Sequence, residues 1–121
     1  MTNLNIDTDQ VRSTLTTFIR DQVTRAGFNR TVLGLSGGLD SALACYLAAE
    51  ALGADNVLAI RMPYRTSSSD SLAHAQLVID DLGVQTLTIP ITDMVDPLIN
   101  QFPEMSAKRK GNVMARQRMI I

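Results

Sequence analysis

The sequence predicts an α/β fold, a parallel sheet covered by helices on both faces. Three observations lead there. Apolar runs alternate with helical segments along the chain. The runs at 31–35, 57–60 and 84–89 are short and read as buried strands. Gly27, Gly53 and Gly83 close the helical segment before each run.

The elements follow in order. Residues 9–26 form an amphipathic helix, because Val11, Leu15, Phe18, Ile19 and Val23 recur at helical spacing. The run 31–35 is a strand, broken by Ser36-Gly37-Gly38. Residues 41–52 are rich in Ala and Leu, the best helix formers. After the strand 57–60 comes a loop of Pro, Ser and Thr at 61–69. A helix over 70–82 leads to the strand 84–89, which Pro90 ends. Residues 93–101 read as a fourth helix despite Pro97. A linker at 103–108 precedes a last helix from Gly111 onward. Crossovers in such a sheet are right-handed, and ligands bind beyond the carboxyl ends of the strands. The loops at 36–41, 61–70 and 90–93 are therefore the candidate binding loops.

Composition narrows the function classes. With 45% hydrophobic and 19% charged residues, the 121 residues suit one ordinary globular domain. A net charge of −1 provides no global field for nucleic acid or an anionic membrane. Cys45 is the single cysteine, so there is no intrachain disulfide, and no Cys/His cluster suggests a structural metal. The polar start lacks the regions of a signal peptide, and no apolar run approaches the ~20 residues that cross a bilayer. A cytoplasmic protein is expected. The sequence stops at Met119-Ile120-Ile121 in mid-pattern, without cap or polar tail. Residues 1–121 are accordingly expected to be the N-terminal part of a single longer domain, truncated at its C-terminus, with an apolar patch that promotes association.

The chemistry concentrates in Gly34-Leu35-Ser36-Gly37-Gly38-Leu39-Asp40-Ser41, between the first strand and its helix. Gly37 and Gly38 allow a sharp turn and close backbone approach to a ligand. Loop N–H groups and the helix dipole then favour an anion. Ser36 and Ser41 add hydroxyl donors for phosphate oxygens. Asp40 beside phosphate requires a cation between them, and Mg²⁺ binds in this way. The loop is neither a Walker P-loop, since no lysine precedes Lys108, nor a dinucleotide fingerprint, whose glycine spacing differs.

The run Ser36-Gly37-Gly38-Leu39-Asp40-Ser41 resembles the PP-loop of the N-type ATP pyrophosphatases, which include NAD synthetase, GMP synthetase, asparagine synthetase and several tRNA-modifying enzymes. Two further segments are similar to the NAD synthetase family in particular. They are Arg61-Met62-Pro63-Tyr64 and the helix Lys110-Gly111-Asn112-Val113-Met114-Ala115-Arg116-Gln117-Arg118-Met119. The resemblance extends over essentially the whole chain. It implies a Rossmann-like sheet of the adenine nucleotide alpha hydrolase-like type, of which this chain carries three strands. It also implies a carbon–nitrogen ligase that cuts ATP between its α and β phosphates. Gly34, Leu35, Ser36, Gly37, Gly38, Leu39, Asp40 and Ser41 would bind the ATP phosphates, with Asp40 on Mg²⁺. Arg61 and Ser67 would lie near the adenosine, although some members have glutamine at the place of Ser67. Arg116 would hold deamido-NAD, and the helix at 111–121 would help form a homodimer. Deamido-NAD would be adenylated and then amidated by ammonia, the nitrogen coming from a separate glutaminase if one exists. No protein nucleophile is needed, and no catalytic residue is named. Family members continue with a Gly-Thr-Asp-His-Ala-Ala-Glu segment that supplies a second Mg²⁺ ligand. The isolated chain is therefore expected to be inactive or nearly so. The alternatives are another PP-loop activity, such as tRNA modification, and a module that holds ATP without cutting it.

The remaining polar features have plainer readings. His74 has no Ser, Cys or Asp partner at helical spacing and is expected to be structural. Cys45 lies among alanines and reads as packing. Asp80-Asp81 reads as a solvated helix end, and Ser69 or Asp70 as an N-cap that is also compatible with ATP contact. Lys108, Arg109, Lys110, Arg116 and Arg118 form the basic cluster. Without interleaved aromatics it fits an anionic dinucleotide or a solvated face better than nucleic acid.

Overall fold

A computed structural model describes residues 5–121. Its elements are α1 (Thr8–Arg25), β1 (Thr31–Gly34), α2 (Leu39–Leu52), β2 (Val57–Arg61), α3 (Ser69–Leu82), β3 (Gln85–Thr88), α4 (Thr92–Ile99) and α5 (Ala107–Ile120), with a 3-10 turn at Ala54–Asn56. The strands are parallel in the order β1-β2-β3, and Leu33, Ala59 and Thr86 stand side by side.

Alternation along the strands sorts the two faces. Leu33 and Ala59 face α2 and α3, and the core there unites Cys45, Ala48 and Ala49 of α2 with Val57, Ala59, Ala75 and Ile79. The small side chains of α2 let that helix sit close on the sheet. The outer helix α1 is fastened to α2 by the Arg20 Nε–H, which donates to the Ala51 carbonyl, and by the exposed Arg12–Glu50 pair. On the opposite side Met62 leans over Gly34, whose added Cβ would lie 3.0 Å from the Met62 Cε. Met62 also joins a second core made of Tyr64, Ile91, Val95 and Ile99 with Met105, Val113 and Met114 of α5. Helices thus flank the sheet on both sides.

Several predicted details change. Only β2 is buried along its length; Val32 and Leu87 on the face away from α2 remain 59% and 51% exposed. α2 begins at Leu39, two residues before the expected start, which places Asp40 in its first turn. The N-cap of α3 is Ser68, not Ser69 or Asp70; its Oγ accepts from the Ser71 N–H. α4 keeps Pro97 inside its two turns because the buried Ile91, Val95 and Ile99 hold it from one side. α5 starts at Ala107, within the expected linker, because Ser106 Oγ caps it by accepting from the Arg109 N–H. Three basic residues in that first turn oppose the dipole, so the capping serine is the stronger signal.

Tyr64 fastens α4 to the end of β2: its hydroxyl donates to Asp96, which also pairs with Arg65 at 3.5 Å. The bond to Asp96, reinforced by burial, keeps the Tyr64 proton in place above the ordinary tyrosine value of 10.0. A folded pKa raised in this way adds stability that is complete below the unfolded value and disappears as pH rises through the folded one. Tyr64→Phe is expected to lower the urea midpoint at neutral pH with an unchanged m-value, and the gap to the unsubstituted protein should close at strongly alkaline pH. A gap that is constant across this range would contradict the assignment. Val32 and Leu87 on the sheet, with Met119 and Ile120 at the end of α5, leave apolar surface open. Sedimentation velocity at high concentration should therefore show association; a monomer at all concentrations would refute this.

Candidate functional site

The turn after β1 is held by its own serines. Ser36 Oγ and Ser41 Oγ are 3.0 Å apart, the Ser36 N–H donates to Ser41 Oγ at 3.1 Å, and the Gly38 N–H donates to Ser36 Oγ at 3.2 Å. These hydroxyls, expected as phosphate donors, fix the loop before any ligand arrives. Gly37 has φ +88°, and a Cβ there would stand 2.2 Å from the Ser71 carbonyl oxygen. Only glycine allows the turn to lie this close to the start of α3. Gly38 begins α2 with no side-chain cap. The N–H groups of Leu39, Asp40 and Ser41 consequently lack an intrahelical acceptor and suit an anion.

A cleft of about 400 Å³ opens beside this turn at the carboxyl end of the sheet. Of the predicted site residues, Gly34, Leu35, Ser36, Ser41, Arg61 and Ser67 line it. Gly37, Gly38, Leu39 and Asp40 form the adjoining turn and first helical turn. The Ser67 hydroxyl accepts from the Tyr64 N–H at 2.9 Å and shapes the bend after Pro63. Ser68 and Ser71, at the N-terminus of α3, complete that wall. Arg61, the last residue of β2, donates through Nε to Thr88 Oγ1 and through Nη1 to Gln76 Oε1.

The structure adds Arg118, which the sequence reading left in the basic cluster. Its Nε–H donates to the Met62 carbonyl at 3.0 Å, and the side chain lines the cleft. The available signal was its place four residues after Met114, on the inward side of α5. Arg116 lies outside this cleft, exposed, with its Nη1 3.7 Å from the Met119 Sδ. Among the described residues, the cleft lining holds two arginines and no acidic side chain. That composition attracts a polyanion.

Other candidates separate from the site. His74 is exposed on α3. Cys45 is fully buried, and desolvation raises its pKa, as befits a packing thiol. Asp80 accepts from Gln76 and Asp81 from Tyr46, so both have side-chain partners rather than only solvent. No group of three or more His, Cys, Asp or Glu residues gathers to hold a metal among the described residues. No helix among them is long and apolar enough to cross a membrane.

Comparison with known proteins identifies the family. The NAD synthase family model matches residues 11–121. The NH(3)-dependent NAD(+) synthetase of Trichlorobacter lovleyi is 54% identical over 121 residues, covering 100% of this chain and 44% of that protein. That of Chlorobaculum parvum is 53% identical over 118 residues, covering 98% of this chain and 43% of its own length. The solved NH3-dependent NAD synthetase of Campylobacter jejuni superposes with a TM-score of 0.87 at 34% identity, covering 95% of this chain and 50% of that one. The chain thus spans under half the length of these curated relatives. With its serine-stapled turn, its arginine-lined cleft and a match over nearly its whole length, it belongs to the NAD synthase family.

Proposed function

We propose that the complete protein makes NAD+ by ATP-dependent amidation of deamido-NAD with ammonia, and that residues 1–121 are the N-terminal part of its single catalytic domain. The observation that carries this is the uncapped start of α2 beside a cleft lined by Arg61 and Arg118. The relatives' names as NH(3)-dependent NAD(+) synthetases support the choice of reaction.

The carboxylate of deamido-NAD attacks the α phosphorus of ATP, the α–β bridge breaks, and pyrophosphate leaves with the bonding pair. Ammonia then adds to the acyl carbonyl of the adenylate, which yields the amide and AMP. Charge accumulates on pyrophosphate in the first step. The N–H groups of Leu39, Asp40 and Ser41 would meet that charge without reorganising, because the serine bonds have already set the turn. Arg61 and Ser67 would border the adenosine, and Arg116 would receive deamido-NAD. Asp40, an exposed carboxylate in the first turn of α2, would hold Mg²⁺ together with phosphate and water oxygens. When bound there, Mg²⁺ would neutralise charge on the phosphates. The same reading includes a cytoplasmic location, a homodimer built around α5 and, where ammonia comes from glutamine, a separate glutaminase. For this chain alone, its 43–44% share of the relatives' length favours binding of ATP without cleavage.

Phosphorus NMR of Mg-ATP with the chain, deamido-NAD and ammonium is the direct test. Shifted, uncleaved ATP lines are expected for residues 1–121, and AMP and pyrophosphate lines for the complete protein. Asp40→Ala should abolish the Mg²⁺-dependent part of both signals, and unchanged turnover in that variant would remove Asp40 from the site. Gly37→Ala should weaken ATP binding at least roughly tenfold, about 1.4 kcal/mol, since both φ and the Ser71 carbonyl oppose a Cβ. Equal affinity by calorimetry would mean that the turn is not the binding element.

A further inference from the structure

We propose that Gln76 is a positioning residue of the nucleotide site, which it serves by fixing the Arg61 guanidinium with a neutral partner; this rests on the ATP reading of the cleft. Arg61 ends β2 and has two holds. Its Nε–H donates to Thr88 Oγ1 at 3.1 Å, and Nη1 donates to Gln76 Oε1 at 2.7 Å. Gln76 stands on α3 and is not part of the cleft lining, whereas Leu72 and Ala75 of the same helix are. It therefore acts on the cleft from behind.

The orientation of the Gln76 amide is dictated from both sides. Its Nε2 donates to Asp80 Oδ1 at 2.8 Å, one helical turn on. A carboxylate only accepts, so the NH₂ group must face Asp80 and the oxygen must face Arg61. The reversed amide would set oxygen against oxygen and N–H against guanidinium. Asp80 thus turns Gln76, and Gln76 turns Arg61.

The neutrality of the partners matters as much as their geometry. A carboxylate in place of Gln76 would hold Arg61 equally well but would compete for its charge. An amide and a hydroxyl restrain the side chain and leave the positive charge to an anionic ligand. Two of the five guanidinium donors are taken, so the other three remain for that ligand. The rotamer freedom of a long side chain is surrendered on folding rather than on binding.

The test is a double-mutant cycle by titration calorimetry with Mg-ATP on the unsubstituted chain, Gln76→Leu, Arg61→Ala and the double variant. It is joined by solvent exchange of the Arg61 Nε–Hε signal measured without nucleotide. Gln76→Leu is expected to weaken binding roughly three- to tenfold and to speed that exchange, with no further loss when Arg61 is already alanine. Additive losses, an unchanged affinity or an unchanged exchange rate would each overturn the assignment. If the unsubstituted chain bound no ATP, the nucleotide reading itself would fall, and Gln76 with it. A merely structural Gln76 would lower the thermal midpoint and the affinity in both backgrounds alike.

Discussion

The contact that organises this molecule is between two backbones. Gly37 lies so near Ser71 that a single added carbon would overlap the Ser71 carbonyl. That approach joins the turn after β1 to the first turn of α3, and so sets the starts of two helices along one cleft. It depends in turn on β1 and β2 being paired in register and on α2 and α3 sharing one face of the sheet. The run of small residues at Cys45, Ala48 and Ala49 makes the α2 side of that arrangement possible, since bulkier groups would lift the helix from the strands.

The charges follow a division of labour. Ion pairs occur away from the cleft, where Arg12 meets Glu50 on the outer helix and Arg65 meets Asp96 at α4. In the cleft the two arginines are held by neutral acceptors, Arg61 by Thr88 and Gln76, Arg118 by the Met62 carbonyl. Each is oriented without being neutralised. A polyanion, as proposed for this cleft, would benefit from this, because a carboxylate partner would have to be displaced or would weaken the field. Asp40, an acidic residue of the turn, suits the same logic only with a cation between it and phosphate.

Much of this was legible in the linear chain. The α-β-α-β-α-β order, the helix-closing glycines and the Ser-Gly-Gly-x-Asp-Ser turn are local features, each governed by residues within a few positions of one another. The family segments at 61–64 and 110–119 are equally local patterns. Where a local signal was weak, packing decided. The helix expected at 93–101 forms over Thr92–Ile99 despite Pro97, because the buried Ile91, Val95 and Ile99 hold it. The last helix was expected from Gly111, after a linker at 103–108, yet it begins at Ala107 because Ser106 caps it. The strands were expected to be buried on both faces, but burial depends on what is packed above them, and Val32 and Leu87 have little.

The sequence by itself determined the fold class, the Ser-Gly-Gly-x-Asp-Ser turn and the family, because these rest on residue types whose backbone preferences and spacings act at short range. Tertiary structure alone decided how the arginines of the cleft are held. Arg61 and Gln76 are 15 residues apart, Arg61 and Thr88 are 27, and Arg118 meets Met62 across 56. No periodicity encodes such meetings. They arise when parallel strands align their carboxyl ends and the helices that follow them are brought back over the same edge, so that the orienting partners of the site come from segments with no local relation.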